Sequence, residues 1–251
     1  MTAGMLGAAA LILFVASTLQ SIIGFAFNLL AVPLLLWSGF SLAQAVALTS
    51  VPILVQVAMA TWKLRTAVVW REVLPAAVIR YLTLPIGVSL LYWVNSFAPS
   101  EVKQIVGLML LIILAMQRFA RIVPKERLAF GWDLLAFSLS GIMLGMIAMG
   151  GPPVVLWLMA HDWSARRTRA FMAALFLLAA PVQVGLLWWK LGEVVAPAFG
   201  WGLGMIPLVV AGSLLGIRLG NRLDREKLRR AIMLFLFLTA LVSLFSPWLH
   251  T

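Results

Sequence analysis

Two glutamines at equivalent positions of a repeated stretch are the first residues of this chain that could bind a ligand. Residues 55–64 read VQVAMATWKL and residues 182–191 read VQVGLLWWKL, with six of ten positions identical. The second copy follows the first by 127 residues, so Gln56 and Gln183 occupy matching places in two halves of the 251-residue chain. A side-chain amide can donate two hydrogen bonds to an oxyanion, or it can hold two helices together. Both roles remain open for this pair.

Two breaks in the apolar sequence also occupy corresponding places in the two halves. The first contains Gly24, Phe25 and Asn28, the second contains Gly150 and Gly151, and a proline follows each. Gly and Pro interrupt helical hydrogen bonding, and the backbone groups that they free at membrane depth must face protein or a wet cavity. A helix that restarts there directs its positive N-terminus at the cavity and can bind an anion. The alternative is a proline kink that only lets helices pack.

Arg80 is a third candidate, because it lies about seven residues inside a long apolar stretch. A cation buried in a membrane is costly and is usually functional. Its long side chain could instead reach the interface, which is about 10 Å away at 1.5 Å of helical rise per residue. The sequence leaves both interpretations open.

The composition places all these residues in a membrane protein. Apolar residues make up 63% of the chain and charged residues 11%, whereas a soluble domain has about 45–50% and about 25%. The net charge of +11 does not indicate nucleic-acid binding, because the Lys and Arg residues form short runs between apolar segments. That distribution is typical of the cytoplasmic loops of membrane proteins.

Apolar stretches of about 20 residues predict membrane-spanning helices. Two shorter apolar pieces, 25–37 and 152–160, follow the first helix of each half and are too short to be assigned as full spans. They could either cross a thin part of the membrane or return as re-entrant helices. The predicted long helices are 5–23, 42–62, 73–94, 102–119, 132–149, 168–190, 198–217 and 230–248.

The positions of the basic residues decide whether the short pieces reverse the chain. If they do not, eight alternating helices divide the loop cations into groups of eight and ten, which gives no orientation. If they do, sixteen of the nineteen Lys and Arg residues fall on one side, and Lys103 and Lys190 alone fall on the other. The sixteen lie in the segments 61–72, 118–130, 161–169 and 218–230.

This asymmetry predicts an all-α polytopic membrane protein with about ten membrane elements. Five reversals in each half make the halves inverted-topology repeats, a plan used by many alternating-access carriers. We therefore expect an N-terminal repeat over 1–120, a cytoplasmic linker over 121–131 and a C-terminal repeat over 132–251. Both chain termini should then lie outside the cell.

The sequence lacks the residues that a metal site or an intramembrane proton relay requires. The chain has no cysteine and two histidines, so we expect neither a metal site nor a cofactor. Its eight carboxylates all fall in predicted loops or at predicted helix ends, and none is available at mid-depth for a proton relay. This inventory suits an anionic substrate better than a cation.

The sequence around the two breaks resembles the TauE/SafE sulfite exporter family, also called the 4-toluene sulfonate uptake permease family. The resembling motif is a Gly-rich break followed by Pro and an aliphatic run. It is present at 24–36 and again from Gly145 through Leu156. The resemblance covers the whole chain as two related halves, and it implies transport of sulfur-containing anions such as sulfite or organosulfonates.

We therefore expect a secondary carrier for a small anion in a bacterial-type inner membrane, and not an enzyme. A membrane-embedded enzyme or an assembly subunit without transport activity is the alternative. The expected partners are the anion, the lipid bilayer and a second copy of the chain in a homodimer, with no nucleic acid. The expected substrate-binding residues are Gly24, Phe25, Asn28, Gln56, Arg80, Gly150, Gly151 and Gln183.

Overall fold

The protein is all-helical in the part of the chain that its computed structural model describes, residues 2–23, 27–119, 129–220 and 223–246. A single turn of 3₁₀ helix, Arg65–Ala67, follows the third α-helix. The α-helices are α1 (Ala3–Ile23), α2 (Phe27–Trp37), α3 (Leu42–Leu64), α4 (Trp70–Val94), α5 (Pro99–Phe119), α6 (Phe130–Ile147), α7 (Gly151–Met159), α8 (Ala165–Gly204), α9 (Ile206–Leu219) and α10 (Arg225–Leu244).

Six of these helices, α1, α3, α4, α5, α6 and α8, are long and apolar enough to cross a membrane. Many of their large apolar side chains face outward, such as Leu82 on α4, which is 73% exposed. Exposed apolar surface on this scale requires lipid as the solvent. The chain is thus a multi-pass membrane protein.

The two short helices lie where the sequence predicts them. The predicted 152–160 piece is α7, and the predicted 25–37 piece is α2 from its third residue onward. Helix α6 ends because Ala148 turns into the left-handed region with φ of 57°, while its N–H still donates to the carbonyl of Leu144 at 3.0 Å. The chain restarts as α7 within three residues, with Pro152 in the first turn, where proline fits well.

Helix α8 contains the break that the sequence predicts between the helices 168–190 and 198–217. Gly192 has a φ of 37° and a ψ of −109°, which are not helical, so Ala165–Gly204 consists of two helical segments that meet at a sharp kink. Glycine reaches this conformation without the steric penalty of a side chain. The kink takes the place of the longer loop that the sequence predicts, and a turn at Met205 separates the second segment from α9.

Glycines bring two pairs of helices into close contact. A Cβ on Gly145 of α6 would lie 2.6 Å from the carbonyl oxygen of Leu84 on α4. A Cβ on Gly212 of α9 would lie 2.6 Å from the carbonyl oxygen of Phe14 on α1. Gly141 and Gly145 on α6, and Gly212 and Gly216 on α9, are four residues apart, a spacing that predicts close helix packing, and the structure confirms that packing. Helix α3 packs along α8, and α5 packs along α10.

Polar contacts show which loops share an end of the bundle. Arg166 donates to the hydroxyl of Thr66 at 2.9 Å, and Arg167 forms an ion pair with Glu72. The segments 61–72 and 161–169 therefore lie together, which contradicts the eight-helix alternative that puts them on opposite sides. At the other end, the ammonium of Lys103 lies 4.2 Å from the centre of the Trp37 ring. The predicted linker lies mostly outside the described residues.

Candidate functional site

The two breaks are joined by the side chain of Asn28. This residue is the second of α2, and its Nδ2 donates to the carbonyl oxygen of Ala148, at the end of α6, at 2.8 Å. The side chain is 8% exposed, and its Oδ1 has no hydrogen-bond partner. A buried amide oxygen without a partner costs about 1–3 kcal/mol, so this position is suited to a ligand that donates a hydrogen bond.

Gln183 reaches the same region from α8. Its Nε2 donates to the carbonyl oxygen of Leu144 at 2.8 Å, and the residue is 2% exposed. Asn28 and Gln183 border a cavity of about 10 Å³, which we call the amide cavity. That volume holds roughly one water molecule, so the amide cavity is too small for a sulfur oxyanion in this conformation. The other residues that line the amide cavity are Ile53, Val57, Leu144, Phe176 and Ala180.

Arg80 is completely buried, so the interpretation that its side chain reaches the interface is wrong. Its Nη1 lies 3.5 Å from the carbonyl oxygen of Leu175, which is at the limit for a hydrogen bond. Its Nε and Nη2 have no partner, and no carboxylate among the described residues pairs with it. The guanidinium lies 4.5 Å from the centre of the Phe176 ring. A cation–π contact stabilises such a charge by about 2 kcal/mol and leaves most of its burial cost uncompensated.

The free face of Arg80 meets the N-terminus of α7. A Cβ on Gly150 would lie 2.9 Å from Nη2 of Arg80 and 2.6 Å from the carbonyl oxygen of Ser140. The Ser140 hydroxyl donates to the carbonyl of Gly150 and fixes this turn. No side chain caps α7. We call Arg80, Gly150 and Gly151 the cationic site.

The cationic site has the electrostatics of an anion site. The N-terminus of a helix carries about half a positive charge, and a buried guanidinium adds a full one. Two positive groups in contact destabilise each other unless a negative group lies between them. Pro152 and Pro153 lack an N–H, so Gly151 supplies the backbone donor of the first turn.

The N-terminal break has a different arrangement, in which protein groups satisfy the first donor. The N–H of Phe27, the first residue of α2, donates to Oε1 of Gln20 at 2.9 Å. Gln20 Nε2 in turn donates to Oε1 of Gln56 at 3.3 Å, and Gln56 Nε2 donates to the Ser213 hydroxyl at 2.7 Å. Gln56 therefore joins α1, α3 and α9, and it does not line the amide cavity.

Comparison with known protein families identifies the family of this chain. The family described as Sulfite exporter TauE/SafE matches residues 9–243, nearly the whole chain. The chain belongs to the TauE/SafE family. No curated protein and no solved structure matches it. Membership makes this TauE/SafE protein one of a family of membrane transporters of the sulfite exporter type.

The structure of this TauE/SafE protein places five of the eight expected residues in two neighbouring parts of one site. Arg80, Gly150 and Gly151 form the cationic site, and Asn28 and Gln183 line the amide cavity. Gln56 lies apart from them. Two expected residues, Gly24 and Phe25, lie outside the described residues. Their role in substrate binding stays a prediction, as it does for the other six.

Sequence reasoning missed Phe176, which supplies the ring, and Ser140, which fixes the turn at Gly150. Phe176 lies in an unbroken apolar run, where nothing distinguishes a site residue from a lipid-facing one. Ser140 belongs to a Ser-Leu-Ser stretch that carries no motif. Among the described residues no three His, Cys, Asp or Glu side chains are grouped so that they could hold a metal ion.

Proposed function

We propose that this TauE/SafE protein is a secondary carrier for a small sulfur-containing anion, such as sulfite or an organosulfonate. Membership of the family supports anion transport of this type. The observation that carries the proposal is the fully buried Arg80, whose Nε and Nη2 have no partner and which lies against the N-terminus of α7. A tetrahedral or pyramidal oxyanion matches such a site, because guanidinium N–H groups bind two oxygens at once.

An inverted repeat provides a physical route for alternating access. Helix α6 packs on α4 and α1 packs on α9, while α3 packs on α8 and α5 on α10. Each of these contacts joins the first half of the chain to the second half. The contact of α4 with α6 corresponds to that of α9 with α1, as expected for two repeats related by a two-fold axis. We propose that these halves rock around the cationic site and the amide cavity, with both termini outside an inner membrane.

The first experiment measures anion flux in liposomes. Purified protein is reconstituted, and uptake of radiolabelled sulfite and of a labelled organosulfonate is compared with uptake into protein-free vesicles. Arg80→Met should abolish flux, because its thioether fills similar space without a charge. Arg71→Gln is the matched control, since Arg71 lies exposed near the start of the same helix, and this variant should transport normally.

The outcomes separate the proposal from its alternatives. Flux that survives in Arg80→Met at the wild-type rate would remove the cationic site from the mechanism. Absence of flux for the wild-type protein with every sulfur oxyanion would favour a membrane enzyme or an assembly subunit. A second copy of the chain is a proposed partner, which the mass of the purified protein in detergent would test.

A further inference from the structure

One aromatic side chain contacts both parts of the site. The ring of Phe176 lies 4.5 Å from the guanidinium carbon of Arg80, and a Cβ on Gly151 would lie 3.9 Å from its tip. The same side chain lines the amide cavity with Asn28 and Gln183. The cationic site and the amide cavity are therefore bordered by a common wall.

The position of Phe176 on α8 explains why it reaches both. Residues 176, 180 and 183 follow the spacing of one helical face, and all three line the amide cavity. The preceding residue, Leu175, supplies the carbonyl oxygen nearest to Nη1 of Arg80. The segment 175–183 of α8 thus borders both parts of the site, with the aromatic ring between them.

The chemistry on the two sides of the ring differs. The cationic site offers charge and a backbone donor, which suit an oxyanion head group. The amide cavity is lined mainly by apolar side chains, among them Ile53, Val57 and Ala180. An anion with an apolar substituent could use both parts at once if the ring did not divide them.

We propose that Phe176 sets the size of the anion that this protein accepts, because its ring separates the cationic site from the amide cavity. With the ring in place, the site accepts a compact head group with a small substituent. Replacing the ring with a small side chain joins the two spaces and admits a larger substituent. This inference rests on the proposed anion site. The experiment is designed so that a failure of the size role can be distinguished from a failure of the anion site.

The test compares two sulfonates that share a head group and differ in size. Binding of sodium methanesulfonate and sodium benzenesulfonate to the full-length protein in detergent is measured by calorimetry. The wild-type protein should bind methanesulfonate more tightly. In Phe176→Ala the affinity ratio should shift by about tenfold or more toward benzenesulfonate, since a few carbon atoms in an apolar pocket change affinity by that amount. Phe176→Leu should shift the ratio by less.

A matched control comes from the same helix. Phe171 is also buried on α8, but it packs against Trp157 and Phe137 and does not line the amide cavity. Phe171→Leu should leave the affinity ratio unchanged. This variant controls for general loosening of α8.

Three outcomes decide the proposal. An unchanged ratio in Phe176→Ala, with methanesulfonate still bound, overturns the size role and leaves the anion site intact. An equal loss for both sulfonates in the Ala and Leu variants also overturns it, since the ring would then act only as a cation–π partner of Arg80. If neither sulfonate binds the wild-type protein or any variant, the size role fails together with the proposed anion site.

Discussion

The two helix breaks of this protein occupy corresponding places in its halves, but they differ in how their backbone donors are satisfied. At the start of α2, the first N–H donates to Gln20, and a relay through Gln56 ends at Ser213. At the start of α7, no side chain caps the helix, and a buried Arg80 lies beside it. The two helix ends lie close together, since Asn28 near the start of α2 donates to Ala148 just before α7, but the buried positive charge lies at only one of them.

The largest expected effect concerns the charge that distinguishes the breaks. Without an anion, Arg80→Met should stabilise the folded protein by roughly 1–4 kcal/mol, because replacing a poorly compensated buried charge with an apolar side chain removes a desolvation cost. The same variant should lose the thermal stabilisation that sulfite or methanesulfonate gives the wild-type protein. Thermal unfolding in detergent, with and without anion, measures both effects. A marked destabilisation would show that Arg80 is structural.

A smaller effect is expected from the backbone of the C-terminal break. Gly150→Ala should destabilise the protein by about 1–3 kcal/mol, as overpacking does, because the new Cβ would lie 2.6 Å from the Ser140 carbonyl and 2.9 Å from Arg80. Gly151→Ala is its matched control, since the nearest atom to the new Cβ is 3.9 Å away. Denaturation and anion titration of both variants compare them. Equal behaviour of the pair would contradict the close approach at Gly150.

Substitutions of Gln56 and Gln183 should differ in their effects on stability and on anion transport. Gln56→Leu leaves Ser213 and Gln20 without their partner, so it should cost about 1–3 kcal/mol of stability and leave the affinity for anions close to that of the wild-type protein. Gln183→Leu should cost less stability, about 0.5–1.5 kcal/mol, because the carbonyl oxygen of Leu144 still accepts a hydrogen bond from the N–H of Ala148. It should nevertheless slow anion flux. The reverse pattern would assign the substrate role to Gln56.

The smallest expected effect concerns Gln20, whose side chain caps the N-terminus of α2. Gln20→Ala removes the acceptor of the Phe27 N–H and should cost about 1 kcal/mol, the usual value for a lost helix cap. Gln117→Ala is the control, because it removes an amide of the same size that has no hydrogen-bond partner in the described part of the chain. Unfolding in denaturant measures the difference. A loss of anion affinity in Gln20→Ala alone would show that the N-terminal break also takes part in binding.

Much of the architecture could be predicted from the sequence, since hydropathy and helix-breaking residues act locally. The apolar runs predict the long helices, and the Gly and Pro residues at the start of α7 predict that α6 ends and a short helix follows. The glycine spacing on α6 and α9 predicts close packing, which the structure confirms. The break predicted near Lys190 and Glu193 is present as the kink at Gly192, whereas the turn at Met205 before α9 is not predicted.

The sequence by itself determined that this chain is a helical membrane protein with two short helices after breaks, since composition, charge distribution and helix breaks depend on near neighbours in the chain. Only the tertiary structure decided that Arg80 is buried with no carboxylate partner among the described residues, that Gln183 lines a cavity while Gln56 does not, and that Phe176 borders both parts of the site. These features arise where α4, α6, α7 and α8 meet. Burial and hydrogen-bond partners depend on residues far apart in the sequence. Two residues at matching places of a repeated stretch, such as Gln56 and Gln183, can therefore have different neighbours in the fold.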